Sequence, residues 1–141
     1  MRTTATRYHD FCAGHRVLGH ESKCAHLHGH NYRVEFSVEA PALDSLGRVI
    51  DFSVIKTRLC EWLEVNWDHR FLVYTLDPLA GPLQAMDPAG VVIVDFNPTA
   101  ENLAGYLLEV VGPTELLGTG ADLVKVRIWE TRKCDVSVER S

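Results

Sequence analysis

The sequence predicts an α+β domain, an antiparallel sheet with two helices on one face, in the order ββααββ. Three observations carry this. Residues 32–39, Tyr-Arg-Val-Glu-Phe-Ser-Val-Glu, alternate apolar and polar without a break, the period of a strand with one buried face. Two middle stretches repeat apolar residues at spacings of three and four, the stripe of an amphipathic helix. Near the end, Val124, Val126 and Ile128, and then Val136 and Val138, alternate with polar residues, which predicts a closing hairpin. An antiparallel sheet with its helices gathered on one side accommodates that order.

Taken in order, residues 3–12 predict a first strand and residues 32–39 the second, continuing out of a histidine-rich entrance. Residues 41–47 form a turn, and Arg48-Val49-Ile50 are expected to extend the sheet. Asp51 is placed to cap a helix whose stripe is Phe52, Ile55, Leu59, Trp62 and Leu63. Pro78, Gly81, Pro82 and Pro88 make residues 75–90 read as a long irregular excursion. Residues 91–94 are a short apolar strand. Asn97-Pro98-Thr99 starts a second helix with proline at its first position, the stripe is Leu103, Tyr106, Leu107, Val110 and Val111, and Gly112-Pro113 is expected to end it. No repeat or linker interrupts the chain, so residues 1–141 are read as one domain.

Composition narrows the function. The 141 residues are 46% hydrophobic and 23% charged, with a formal net charge of -5. A chain of this size buries roughly two-thirds of its unfolded surface and needs no covalent staples. The acidic balance argues against nucleic acid as a partner, since gripping a phosphate backbone needs a broad excess of Lys and Arg. No apolar leader or membrane-length stretch is visible, which points to a cytoplasmic protein without a membrane partner. The four cysteines, Cys12, Cys24, Cys60 and Cys134, form no CxxC pair and read as reduced thiols.

Six of the seven histidines fall between His9 and His30. In His28-Gly29-His30 an extended backbone would point both imidazoles to one face, about 6 to 7 Å apart at their Cα atoms, a chelating separation. Gly29 lets another backbone come close. If the first two strands pair, His15 is a natural third ligand, and three neutral imidazoles with an open position are the coordination of catalytic zinc. Spacing alone does not choose among His9, His15, His20, His26, His28 and His30. Cys24 could be a fourth ligand, a base beside the metal or a structural thiol. Cys12, Cys60 and Cys134 are assigned to packing. His69, after Asp68 and beyond a helix end, can reach a neighbouring group. Glu130 is either an exposed strand end or a specific acceptor for an N–H-rich ring.

Together, Phe11-Cys12-Ala13-Gly14-His15-Arg16, Cys24-Ala25-His26-Leu27-His28-Gly29-His30-Asn31-Tyr32, Asp51-Phe52, Asp68-His69, Asn97-Pro98-Thr99-Ala100-Glu101-Asn102 and Glu130-Thr131 make a pattern running through nearly the whole chain. It resembles the 6-pyruvoyl-tetrahydropterin synthase family, and within it the 6-carboxy-5,6,7,8-tetrahydropterin synthases of queuosine and 7-deazapurine biosynthesis. The resemblance implies the tunnelling fold (T-fold), whose sheets join into an oligomeric barrel, usually a homohexamer built as a dimer of trimers. It implies Zn2+ held by His15, His28 and His30. Cys24 becomes the catalytic thiol, coupled to Asp68 and His69 from another protomer's loop. Glu130, counted with the catalytic group, becomes the pterin anchor, and Thr99 lines the pterin pocket.

The implied reaction converts 7,8-dihydroneopterin triphosphate to 6-carboxy-5,6,7,8-tetrahydropterin, releasing acetaldehyde and triphosphate. The three-residue gap between Cys24 and His28 is like that of the carboxy-forming branch; the pyruvoyl-forming enzymes typically carry a longer insertion. The alternatives are triphosphate elimination to 6-pyruvoyl-tetrahydropterin, or a non-catalytic homologue that binds pterin and zinc. The chain departs from the family at Gly14, where Ala or Ser is frequent, and at Arg70-Phe71-Leu72-Val73. Lys23, Arg16 and Arg70 are the candidate partners of the triphosphate.

Overall fold

The structure is a computed structural model describing Met1–Ser141. Its centre is a pair of long antiparallel strands, β1 (Ala5–His15) and β2 (His28–Glu39), in register from Ala5 opposite Val38 to His15 opposite His28. β1 is longer at its C-terminal end than residues 3–12 and carries His15 inside the strand. Two short strands, β3 (Arg70–Tyr74) and β4 (Val91–Val94), run parallel to β1 on one side. On the other side, β5 (Asp122–Thr131) and β6 (Cys134–Glu139) form the expected hairpin, giving the order β4-β3-β1-β2-β5-β6. The four long strands are antiparallel as the alternation predicts, and β3 and β4 make the whole sheet mixed.

Alternation decides the faces. Phe11, Ala13, Tyr32, Val34, Phe36, Val126 and Ile128 turn inward and are at most 6% exposed. The first helical rod covers them, formed by Phe52–Ile55, a π-helical turn Lys56–Cys60 and Glu61–Asn66. The second rod, Ala100–Tyr106, Leu107–Val111 and Gly112–Glu115, packs beside it. Ile55, Leu59, Leu63, Leu103 and Leu107 are fully buried in the shared core, each contributing roughly 1.5–3 kcal/mol by leaving water. The sheet's other face is covered by a helix only over β3 and β4, where Ala80 of the short helix Ala80–Met86 packs with Val73 and Val91. It carries Arg33 paired with both carboxylate oxygens of Asp10 and lying over the Tyr8 ring, and Arg127 paired with Asp135 and lying over Trp129.

Three local expectations are corrected, and one strand is added. Residues 48–50 form no strand, because the Asp44 side chain accepts hydrogen bonds from the Arg48 backbone and guanidinium and closes a turn there. Residues 70–74 are a strand although the chain around them does not alternate; a short parallel strand has both faces covered and no alternating signature. Residues 75–90 contain a helix, Ala80–Met86, since Pro82 stands in the first turn, where its missing N–H breaks no bond. The second rod runs past Gly112-Pro113 by a turn, the π turn before it having already shifted the backbone bonding.

Candidate active site

The pairing of β1 with β2 sets His15 opposite His28, and Gly14 opposite Gly29. His28 and His30, two apart on β2, point to the same face as Tyr32 and meet His15 there. Their ring nitrogens lie within 4.8 Å of one another, and His15 Nε2 is 3.0 Å from His28 Nε2. Gly29 permits the approach: a Cβ at that position would stand 3.0 Å from the Ala13 carbonyl oxygen.

The outer nitrogens are already fixed. His15 Nδ1 donates to the Pro98 carbonyl at 2.7 Å and His28 Nδ1 to the His26 carbonyl at 2.8 Å. Both Nε2 lone pairs are thereby turned inward, toward each other, the arrangement in which outer partners orient metal-ligating imidazoles. His30 Nε2 is buried without a hydrogen-bond partner. Unpaired buried polar atoms are costly and rare, and two facing lone pairs repel, so the donor set suits a cation at its centre. Burial holds His15 neutral, pushing its pKa down to about 4, with the neighbouring His28 and His30 adding to the effect and the Pro98 carbonyl opposing it. A neutral imidazole is the form that ligates.

Glu130, on the inward face of β5, places Oε1 3.7 Å from His15 Nε2 and 4.0 Å from His30 Nε2, too far for a hydrogen bond. Tyr32 Oη lies 3.3 Å from His15 Nδ1. Burial pushes the Tyr32 phenol well up, and the charges of Glu130 and Cys24 push the same way, so it stays protonated. Cys24 sits on a single 3-10 turn, Lys23–Ala25, half-buried. That turn is held on both sides: Val17 N–H donates to the Cys24 carbonyl at 3.0 Å, and Arg16 Nη1 to the Ala25 carbonyl at 3.0 Å.

Several supports were not legible as site residues. Asp77 is 3% exposed and accepts from Arg16 Nε at 2.7 Å, so the 75–90 segment props the guanidinium that holds the Cys24 turn. Asn97 clasps the backbone of Leu18, accepting from its N–H at 2.9 Å and donating to its carbonyl at 3.0 Å. The Asn-Pro-Thr motif thus delivers the carbonyl that orients His15. Thr99 caps the second rod by accepting from Asn102 N–H at 3.2 Å. His26, without a role in the sequence, supplies the carbonyl behind His28, and His9 pairs with Glu64.

Asp68 and His69 do not meet Cys24 within one chain. They lie against Cys12 on the side of the sheet opposite the two rods: Cys12 Sγ is 3.6 Å from both ring nitrogens of His69, and His69 Nδ1 is 2.9 Å from Asp68 Oδ2. Cys12 is therefore not simply a packing residue, and Cys134 is exposed; of the three thiols assigned to packing, Cys60 is buried, and burial pushes its pKa up to about 11. A cleft of about 880 Å³ borders Cys12, Asp68, His69, Trp129 and Arg132 on that side. The donor groups thus fall into two separate halves, one on each face of the sheet.

Curated relatives and solved structures resemble the chain over most of its length. A 6-carboxy-5,6,7,8-tetrahydropterin synthase of Rickettsia typhi is 36% identical over 134 residues, covering 94% of this chain and 97% of the relative. One from Aquifex aeolicus is 34% identical over 118 residues, covering 78% and 72%. Among solved structures, an uncharacterized protein from Wolinella succinogenes superposes with a TM-score of 0.86 at 26% identity, covering 100% of this chain and 99% of the other. The Caenorhabditis elegans 6-pyruvoyl tetrahydropterin synthase shares the fold, with a TM-score of 0.69 at 24% identity over 100% of this chain and 99% of that one. The family described as 6-pyruvoyl tetrahydropterin synthase matches residues 4–141. With a family match over residues 4–141, relatives at 36% identity over 94% of the chain and the tunnelling fold in common with solved members, the chain belongs to the 6-pyruvoyl tetrahydropterin synthase family.

Proposed function

We propose that this protein is a zinc-dependent lyase that converts 7,8-dihydroneopterin triphosphate to 6-carboxy-5,6,7,8-tetrahydropterin, acetaldehyde and triphosphate, in the cytoplasm, on a route to a 7-deazapurine such as queuosine. The observation that carries the metal is the orphaned His30 Nε2 facing the inward-turned nitrogens of His15 and His28. The names of the relatives carry the carboxy product, and the short gap from Cys24 to His28 supports it.

Bound by the three imidazoles, zinc would supply Lewis acidity toward the hydroxyls of the substrate side chain. Glu130 accepts hydrogen bonds from the pterin N–H and amino groups, which fixes the ring beside the histidine centre. Cys24 exchanges a proton with the substrate carbons, its turn held in place by Arg16 and Val17. Asp68 orients His69, and that pair serves the Cys24 of a neighbouring protomer, in keeping with its separation from Cys24 in its own chain. The full site then needs an oligomer, a hexamer in this reading. Thr99 lines the pterin pocket with its backbone and methyl, its hydroxyl being engaged as a cap. Arg16 is spent on Asp77 and Ala25, which leaves Lys23 and Arg70 as the triphosphate candidates.

Metal analysis combined with turnover tests this. The expected result is about one zinc per chain, with Cys24→Ala retaining zinc and losing turnover. Loss of zinc in Cys24→Ala would make that thiol a ligand and overturn its catalytic role.

A further inference from the structure

Three different metal-binding side chains also converge away from the histidine centre, at Cys12, Asp68 and His69, with their donor atoms within 4.8 Å of one another. The cluster is assembled by the fold rather than by chance contact of long side chains. Cys12 N–H donates to Asp68 Oδ1 at 3.0 Å, and His69 N–H donates to the Cys12 carbonyl at 2.7 Å. His69 is held at φ 59°, a left-handed conformation that a residue with a Cβ seldom adopts. That backbone turn brings its ring back over Cys12.

The thiol-to-imidazole spacing is that of a metal site, and Asp68 holds His69 at hydrogen-bond distance. Donors around a tetrahedral zinc with bonds of 2.0–2.3 Å stand roughly 3.5 Å apart. Here the thiol and the His69 ring nitrogens are 3.6 Å apart, and His69 Nδ1 and Asp68 Oδ2 are 2.9 Å apart. The His69 side chain is 78% exposed, so it can rotate to present one lone pair, and clefts on two sides border both Cys12 and His69 and give an ion access.

We propose that Cys12 Sγ, an Asp68 carboxylate oxygen and a His69 ring nitrogen form a second site for a thiophilic divalent cation such as zinc. On binding, the Cys12 thiol gives its proton to solvent and the metal–sulfur bond forms, with the remaining position open to water. Its occupancy ties up the His69 lone pair, so excess zinc lowers turnover. That regulatory consequence rests on His69 as a proton carrier in the proposed reaction; the metal site itself does not.

Cobalt(II) titration of the intact protein is the test, because thiolate-to-cobalt charge-transfer absorption cannot come from three imidazoles. The expected result is a thiolate band that arrives with the second equivalent, is lost in Cys12→Ser and in His69→Gln, and persists in Cys24→Ser. Bound cobalt falls from about two equivalents per chain to about one in Cys12→Ser. Absence of the band, or its survival in Cys12→Ser and His69→Gln, overturns the proposal. His28→Ala separates the two readings: it removes the imidazole-bound equivalent while leaving the Cys12 band, so failure of the histidine centre and failure of the second site give different spectra.

Discussion

His15 shows how one buried side chain joins fold to chemistry. It is 1% exposed, its Nδ1 is spent on Pro98, and burial depresses its pKa to about 4. In the unfolded chain it titrates near 6.5. Between those values the unfolded state binds the proton and the folded state does not, so stability rises with pH across that window. Metal-free protein should therefore lose stability as pH falls from 6.5 toward 4, by roughly 3 kcal/mol at the limit. Urea midpoints measured across that range should fall with pH in the native sequence and flatten in His15→Gln; equal slopes in both would place the dependence elsewhere. The convergence of His15, His28 and His30 on one face was legible because strand periodicity places His28 and His30 together and the pairing of β1 with β2 brings His15 to them. Cys12 was not, since nothing in its sequence neighbourhood places it against residues 68 and 69; only the parallel pairing of β1 with β3 does that.

At the scale of elements, the Asn-Pro-Thr segment acts as a bracket. Asn97 ties it to Leu18 beyond the end of β1, Pro98 presents its carbonyl to His15, and Thr99 starts the second rod. Removing the Asn97 amide should loosen the Pro98 carbonyl without touching a ligand. Asn97→Ala is expected to weaken zinc affinity about 10- to 100-fold, the usual cost of losing an outer partner, with the helical content of the protein retained. Chelator competition reads the affinity, and circular dichroism the fold; unchanged affinity would assign Asn97 a purely structural role. Amphipathic stripes and alternation made the long strands and both rods readable. The short strand β4 was readable as an apolar run, while β3 and the helix Ala80–Met86 were hidden, because their burial comes from partners distant in sequence rather than from a period within it.

At the scale of the molecule, one chain keeps Cys24 on the histidine side and the Asp68–His69 pair on the other side of the sheet. On the face opposite the two rods the long strands are lined by paired charges and aromatics, and the outermost strands, β4 and β6, each have one unpaired edge. Exposed edges invite pairing with another chain, and a site completed across such a contact has a direct signature. Cys24→Ala and His69→Ala, each inactive alone, should regain part of the native turnover when unfolded and refolded together, because some mixed contacts then hold an intact Cys24 beside an intact His69. No recovery on mixing would mean that each chain completes its own site.

The central claim, a carboxy-forming pterin synthase built on three histidines, is tested most directly by the products of the zinc-loaded protein with 7,8-dihydroneopterin triphosphate. Mass spectrometry with an acetaldehyde assay should find 6-carboxy-5,6,7,8-tetrahydropterin and acetaldehyde in equal amounts, and neither after the metal is stripped. Formation of 6-pyruvoyl-tetrahydropterin without acetaldehyde, or full turnover by the metal-free protein, would contradict it.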